Sequence, residues 1–230
     1  MPSTWLVVLS WVALAVAFVS AAVILIDIYG RGYRQRMTIM EAVWPVTALY
    51  FGPLAVWMYF RFGRPNSAKW LEDRDLQQPP DKPGWATTAI GVSHCGAGCT
   101  LGDIIAETAV FLLAIELLGR ALWPEMIGDY IAALALGILF QYFAIAPMRG
   151  LGPRKGLMAA AKADVLSLTA FEVGLFGWMA LMAFVFFPSE PLRPNSAVYW
   201  FLMQVGMIIG FATAWPANVW LIRRGIKEEM

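Results

Sequence analysis

Charged residues are scarce in this sequence. Only 14% of the 230 residues are Asp, Glu, Lys or Arg and 60% are hydrophobic, whereas about a quarter of a soluble domain is charged. The formal net charge of +1 provides no basic field, so we expect no nucleic-acid partner. No like-charge tail or low-complexity stretch indicates a second unit. Residues 1–230 are therefore predicted to form a single transmembrane domain.

Cysteine and histidine are almost absent as well. The chain has two cysteines, Cys95 and Cys99, which are too few and too close together for a disulfide-stapled secreted fold. His94 is the only histidine, so a bis-histidine haem site is excluded. We find no phosphate loop, dinucleotide fingerprint or hydrolase triad. No haem, nucleotide or flavin is therefore expected, and the sequence favours a protein that is not an enzyme.

Long apolar runs are what the sequence has in abundance. A helix needs about 20 apolar residues to cross a bilayer, because unpaired backbone groups cannot be left in lipid. The N-terminal run has neither a basic n-region nor a cleavage site, so we expect it to remain as the first span. The fold class is predicted as an all-α, polytopic membrane bundle in contact with lipid. About six transmembrane helices are expected, at 5–28, 42–60, 101–118, 127–146, 165–187 and 198–222.

The distribution of Lys and Arg predicts the orientation. With both termini inside, 12 of the 17 basic residues lie in inner segments, as the positive-inside rule requires. The first loop disagrees, because it places Arg31, Arg34 and Arg36 outside. We therefore expect a multi-pass protein of the bacterial inner membrane with both termini in the cytoplasm.

Two similar sequence segments suggest an internal repeat. The segments beginning at Asp103 and Asp164 both open an apolar run, and Pro147 and Pro216 follow near the ends of the next runs. These segments are compatible with two tandem helix pairs in the same orientation, and also with chance among apolar sequences. In either case they place these four residues at one membrane face, the inner one.

The segment 91–107 contains the residues that could bind a metal or carry out thiol chemistry. Its spacing is His-Cys-x3-Cys-x3-Asp-x3-Glu, and residues four apart form a slanting stripe along one helix face. Thiolates favour Cu(I) or Zn(II), and imidazole suits both. The pattern predicts a transition-metal site made of His94, Cys95, Cys99, Asp103 and Glu107. The glycines of 91–102 allow another interpretation, in which His94 to Cys99 is a loop and the helix begins at Thr100.

Further side chains could continue a path from this site. Glu107 and Glu172 lie about two turns inside apolar runs, where a carboxylate normally faces a partner or an aqueous cavity. Asp164 could join the path or simply complement a helix dipole. Met203 and Met207 place two soft thioethers on one helix face, although methionine is also common core filler.

Four segments also show a family resemblance. They are His-Cys-Gly-Ala-Gly-Cys-Thr-Leu-Gly-Asp-Ile-Ile-Ala-Glu at 94–107, Gln-Tyr-Phe-Ala-Ile-Ala-Pro-Met-Arg-Gly at 141–150, Leu-Thr-Ala-Phe-Glu at 168–172 and Trp-Leu-Ile-Arg-Arg-Gly-Ile-Lys-Glu at 220–228. The chain resembles, over most of its length, a bacterial membrane family catalogued as domain of unknown function 4396. No activity is assigned to that family, but some members have copper-related labels. The resemblance therefore favours a metal function without assigning a role to any residue.

Three functional hypotheses follow. The first is a transporter or delivery protein for Cu(I), with Zn(II) second, which would take its ion from solution or from a metallochaperone. The second is a thiol-disulfide oxidoreductase that cycles Cys95 and Cys99, for which the chain lacks a second cysteine pair. The third is an assembly subunit whose acids pair with charges on another protein of a membrane complex.

Overall fold

The fold is entirely helical. The computed structural model describes residues 2–149 and 152–226, apart from the side chains of residues 144–149, 153 and 163. Every regular element in this part of the chain is a helix, and five helices are long and apolar enough to cross a membrane. The predicted all-α membrane bundle is therefore confirmed.

Eight α-helices make up the described fold. Short π or 3-10 turns extend α1 to Gly30, α3 to Asn66 and α7 to Phe186. The eight helices are α1 (Thr4–Leu25), α2 (Met40–Phe51), α3 (Pro53–Met58), α4 (Ala68–Glu72), α5 (Gly84–Leu112), α6 (Leu122–Arg149), α7 (Pro153–Leu181) and α8 (Ala197–Arg223).

The stretch predicted as the second span does not cross the bundle. Gly52 separates α2 from α3 and has a φ of +54°, a conformation that glycine adopts without a steric penalty. The chain reverses direction at this point. Tyr59, after α3, packs edge-on against Trp44 near the start of α2, with ring centroids 5.8 Å apart. Residues 40–63 are thus a re-entrant hairpin with its tip at Gly52. The prediction of one helix over 42–60 was wrong, because length and hydropathy do not reveal a reversal at Gly-Pro.

The hairpin is fixed to the end of α1 by a buried carboxylate. Asp27 accepts a hydrogen bond of 2.9 Å from the Tyr59 hydroxyl and forms an ion pair of 3.1 Å with Arg64. Its partner at i+4, Arg31, lies farther away at 3.5 Å. Asp27 is 1% exposed, so it needs these partners to offset its lost hydration.

The last four helices form an antiparallel bundle. The predicted third span, 101–118, was misplaced, because α5 begins at Gly84 and ends at Leu112. The first half of α5 is rich in Gly, Ala, Ser and Thr, so its hydropathy is low, yet it is buried by its neighbours. The interpretation of His94 to Cys99 as a loop was also wrong. Thr100 lies in mid-helix, where its hydroxyl donates to the Gly96 carbonyl at 2.7 Å.

Glycines bring α5 and α6 into backbone contact. A Cβ atom at Gly98 would lie 2.8 Å from the Cα of Gly137, and one at Gly102 would lie 2.6 Å from the amide nitrogen of Ala133. Small residues four apart allow helix backbones to approach closely in a membrane. Gly98 and Gly102 therefore allow the close packing of α5 against α6.

The two ends of the bundle can be distinguished by their connections. The end of α1 lies beside the hairpin's open end, since the Lys69 ammonium donates to the Arg31 carbonyl. The same end includes the start of α5, because Trp85 stacks on Trp57 with ring centroids 6.3 Å apart. We call this the basic end. The opposite end, formed by residues 113–121 and 187–196, is called the loop end.

The hairpin changes the relation between the termini. With five spanning helices, α1 begins at the loop end and α8 finishes at the basic end, so these two helix ends lie at opposite ends of the bundle. Only Arg120 and Arg193 lie at the loop end. With Lys227 outside the described residues, the other 14 Lys and Arg belong to the basic end: Arg31, Arg34, Arg36, Arg61, Arg64, Lys69, Arg74, Lys82, Arg149, Arg154, Lys155, Lys162, Arg223 and Arg224.

Candidate functional site

The predicted stripe lies on one helix in the centre of the bundle. His94, Cys95, Cys99, Asp103 and Glu107 all belong to α5, and each is 0% exposed. From His94 to Glu107 the helix rises by about 20 Å. The five side chains therefore cannot surround one ion. Among the described residues, no three His, Cys, Asp or Glu side chains converge closely enough to hold a metal.

Sulfur-containing residues of two helices are buried in one cluster near the middle of this stripe. Cys95 and Cys99 pack in the same buried cluster as Met203 and Met207 of α8. Both cysteines are free thiols. The Sδ atom of Met207 lies 3.5 Å from the Thr100 hydroxyl, next to Cys99 in the chain. Cys95, Cys99, Met203 and Met207 are called the sulfur cluster below.

Glu172 connects the sulfur cluster to the acidic part of the stripe. It lies on α7 with 1% exposure, and it is near enough to Cys99 for a side-chain contact. It also interacts electrostatically with Asp103 and Glu107 of α5. Glu172 therefore lies inside the bundle, between the thiols and the acids of α5.

Two further acids, which the sequence reasoning missed, come from α6. Asp129 is fully buried and Glu125 is 8% exposed. Asp129 interacts electrostatically with Glu107, Glu172 and Glu125. An Asp inside the apolar run 127–146 is itself a signal of a functional position, because charge is expensive in a membrane. That signal was available in the sequence.

The buried acids have no compensating positive charge. No oxygen of the Asp103, Glu107, Asp129 or Glu172 carboxyl groups has a hydrogen-bond partner within the described structure. No Lys or Arg is among the buried residues of the described chain. An isolated carboxylate in such surroundings costs far more than a neutral carboxyl group. Each of these groups therefore needs a proton or a bound cation.

The remaining predicted residues, His94 and Asp164, are buried against α6 near the depth of the two cysteines. His94 is buried against α6, with its ring 6.2 Å from that of Phe140. The Asp164 carboxylate is buried beside Gly137, at the depth of Gly98. Asp103 lies five residues farther along α5, about 7.5 Å deeper. Asp103 and Asp164 are therefore not equivalent, and neither lies at a membrane face as the repeat predicted, although α5 and α7 do run in the same direction.

A cavity opens toward the acids from the loop end. Its volume is about 390 Å³, and Glu125 and Tyr199 are among its lining residues. Tyr199 is 4% exposed, and its hydroxyl has no hydrogen-bond partner in the described structure. Tyr199 interacts with Glu107, which lies beyond the cavity. We call this cavity the vestibule.

Comparison with known sequence families shows to which family this chain belongs. Residues 84–227 match the family described as Domain of unknown function (DUF4396), a match that covers more than half of the chain. The chain belongs to this family. The matched region begins with the first residue of α5 and includes all of α5 to α8, so the stripe, the sulfur cluster and the buried acids all lie within it. No curated protein and no solved structure matches the chain.

Proposed function

We propose that this protein transports or delivers a soft transition-metal ion, with Cu(I) favoured over Zn(II). The observation that supports this proposal is the sulfur cluster, in which two thiols from α5 and two thioethers from α8 belong to one buried cluster of side chains. Thioether and thiolate sulfur are soft ligands that suit Cu(I). The absence of three converging His, Cys, Asp or Glu side chains in the described residues disfavours a tetrahedral Zn(II) site formed by those residues alone.

The neighbouring groups suggest a role for each part of the stripe. Cys95, Cys99 and Met207 would bind the ion, and Glu172 would supply a negative charge beside Cys99. His94 lies one residue before the sulfur ligands, on the side of the basic end, so it would take the next position of the ion there. Asp103 and Glu107, predicted as ligands of the same ion, are better placed to stabilise its positive charge on the other side.

Metal analysis tests this function directly. Purified protein from cells grown with copper is expected to retain nearly one copper ion per chain. The double variant Cys95→Ser, Cys99→Ser is expected to retain at least about tenfold less copper per chain than the wild type, because it lacks both thiolate ligands. The measurement is elemental mass spectrometry of the detergent-purified protein.

The control separates ligation from packing. Met158→Leu replaces a methionine that is 65% exposed and far from the sulfur cluster, so it should leave bound copper unchanged. Met207→Leu keeps an apolar side chain of similar size and should weaken copper retention. Equal copper in wild type and the double cysteine variant would contradict the proposal.

We also propose that the basic end faces the cytoplasm of a bacterial cell. The hairpin brings the three arginines of the first loop to the same end as most other basic residues, so the disagreement with the positive-inside rule disappears. The N-terminus is then outside, and the C-terminal end of α8 is inside. This orientation replaces the arrangement expected from six full crossings.

Cysteine labelling checks the orientation. In a Cys95→Ser, Cys99→Ser background, Ser3→Cys and Ser189→Cys at the loop end should react in intact cells, after opening of any outer membrane, with a thiol reagent that cannot cross the inner membrane. Asp81→Cys at the basic end should react only after the cells are lysed. All three positions are exposed, so accessibility in the fold does not limit labelling. Labelling of Ser3→Cys and Asp81→Cys from the same side would exclude five crossings.

The structure also bears on the alternative of thiol-disulfide chemistry. Cys99 and Cys95 are near enough for a side-chain contact, and both are free thiols. Both side chains are 0% exposed, however, so a protein dithiol cannot reach them in this conformation. Thiol trapping in cells would support this alternative only if the pair were found oxidised.

A further inference from the structure

The vestibule leads to acids that the metal proposal does not use. Besides Glu125, its lining has one acid, Glu116, and two arginines, Arg120 and Arg193. On the side of α8 the wall is formed by Tyr199 and Met203. Water can therefore reach the first acid of the bundle from the loop end without crossing lipid.

The groups beyond the vestibule follow one another toward the sulfur cluster. Tyr199 interacts with Glu107, Glu125 and Asp129, and Glu107 and Asp129 interact with Glu172 in turn. The step from Glu107 to Asp103 along α5 is one turn, about 6 Å. These acids come from α5, α6 and α7, and all of them are buried in the part of the bundle between the loop end and the cysteines.

We infer that Glu125, Asp129, Glu107 and Tyr199 form a proton path between the vestibule and the sulfur cluster. The inference rests on the proposed function in one respect, namely that the ion exchanged for protons is the soft cation bound at the cysteines. Proton conduction itself is a separate activity that can be measured without the metal.

The oxygen chemistry of these groups favours protons over a metal ion. Carboxyl and phenol oxygens are hard ligands, whereas the cargo proposed for the sulfur cluster is soft. The acids interact at a distance but do not converge as three ligands around one point in the described structure. Separate acids in sequence are the arrangement of proton relays in membrane proteins, because each station holds one proton and passes it on.

The chemistry at the cysteines requires such a path. When Cu(I) binds a cysteine thiol, the S–H bond breaks, the Cu–S bond forms and one proton is released, with no change in oxidation state. The released proton must leave a site from which lipid and protein exclude water. The charged or titratable groups that face Asp129 in the described part of the chain are Glu125 on its own helix, Asp103 and Glu107 on α5, Glu172 on α7 and Tyr199 on α8. None of these groups is basic, so the proton moves through carboxyl and phenol groups.

Reconstituted vesicles test the coupling. Wild-type protein in liposomes with a trapped pH dye should move protons in the direction opposite to Cu(I) when reduced copper is added outside. Asp129→Asn and Glu125→Gln should each lower this proton flux by about tenfold or more, since each replaces a carboxyl group that accepts and releases a proton with an amide that does not. Copper bound by the purified variants should equal that of the wild type.

A matched variant controls for surface charge. Glu116→Gln removes an exposed carboxylate at the mouth of the same vestibule, and it should leave the proton flux unchanged. Ala183→Trp should lower the flux by filling the vestibule. Copper transport that is indifferent to a pH gradient and to Asp129→Asn would overturn the inference while leaving the proposed function intact.

A second readout needs no metal. Infrared spectra of the metal-free protein should show the C=O band of protonated carboxyl groups at neutral pH, and Asp129→Asn should remove part of it. A wild-type spectrum without this band would overturn the inference, because a relay of ionised acids holds no proton. If the band is present and no copper binds in any preparation, the proposed function fails and the proton path survives.

Discussion

Gly102→Ala is expected to lower the free energy of unfolding by about 1–3 kcal/mol, the range for overpacking a filled interior. The added Cβ would lie 2.6 Å from the Ala133 amide nitrogen and 2.9 Å from the Ala132 carbonyl carbon, so it would meet backbone atoms that cannot rotate away. Helices α5 and α6 would have to separate along their length. Thermal unfolding of the purified protein in detergent, followed by tryptophan fluorescence, measures the change.

Gly177→Ala is the matched control for this prediction. Gly177 also lies inside a spanning helix, but a Cβ there would meet nothing within 4 Å. Alanine is a better helix former than glycine by about 1 kcal/mol, so this variant should be as stable as the wild type or more stable. If both variants unfolded at the same temperature, close contact between α5 and α6 would not be what the glycine at 102 provides.

Glu172→Gln is expected to reduce copper transport by at least about tenfold while leaving bound copper near the wild-type amount, because groups beside metal ligands typically change activity by about 10–100-fold. Glutamine has nearly the same size, so packing against Cys99 should be preserved. The amide cannot supply the negative charge that would balance an ion leaving the thiols. Uptake of reduced copper into liposomes, measured beside copper retained by purified protein, separates these two effects.

Glu72→Gln controls for the loss of one carboxylate. Glu72 is exposed at the basic end and touches none of the buried acids, so its replacement should not alter uptake. Glu172→Gln protein that transported copper at the wild-type rate would show that the carboxylate beside Cys99 has no part in transport. Loss of copper binding along with transport would instead make Glu172 a ligand.

The all-α membrane class followed from the sequence because apolar length is a local property. The stripe from Cys95 to Glu107 was also predictable, since a spacing of four on a helix fixes which side chains share a face. The burial of the stripe's first half was not predictable by hydropathy. Gly96 and Gly98 contribute little apolar surface themselves, and they are buried only because α6 and α7 approach them closely.

Other features depend on contacts between distant segments. The run 42–60 has the length and composition of a crossing helix, and its reversal depends on Gly52 together with the pairing of Trp44 and Tyr59. The role of Asp129 was missed for a different reason. Its position in an apolar run was visible, but its relation to Glu107 and Glu172 appears only when three helices are assembled.

Glycine contacts hold the four helices of the bundle together. Backbone contact at Gly98 and Gly102 joins α5 closely to α6. Helices α7 and α8 are joined in a similar way, since a Cβ at Gly210 would lie 2.8 Å from the Phe171 ring and one at Gly174 would overlap the Thr213 side chain. The two helix pairs are packed against each other just as closely, because a Cβ at Gly96 would lie 2.9 Å from the Phe171 ring and one at Gly137 would lie 2.7 Å from the Leu168 side chain. Cys99 and Glu172 lie on opposite sides of this contact, so the separation of the thiol from the carboxylate is set by how closely these glycines let α5 and α6 approach α7.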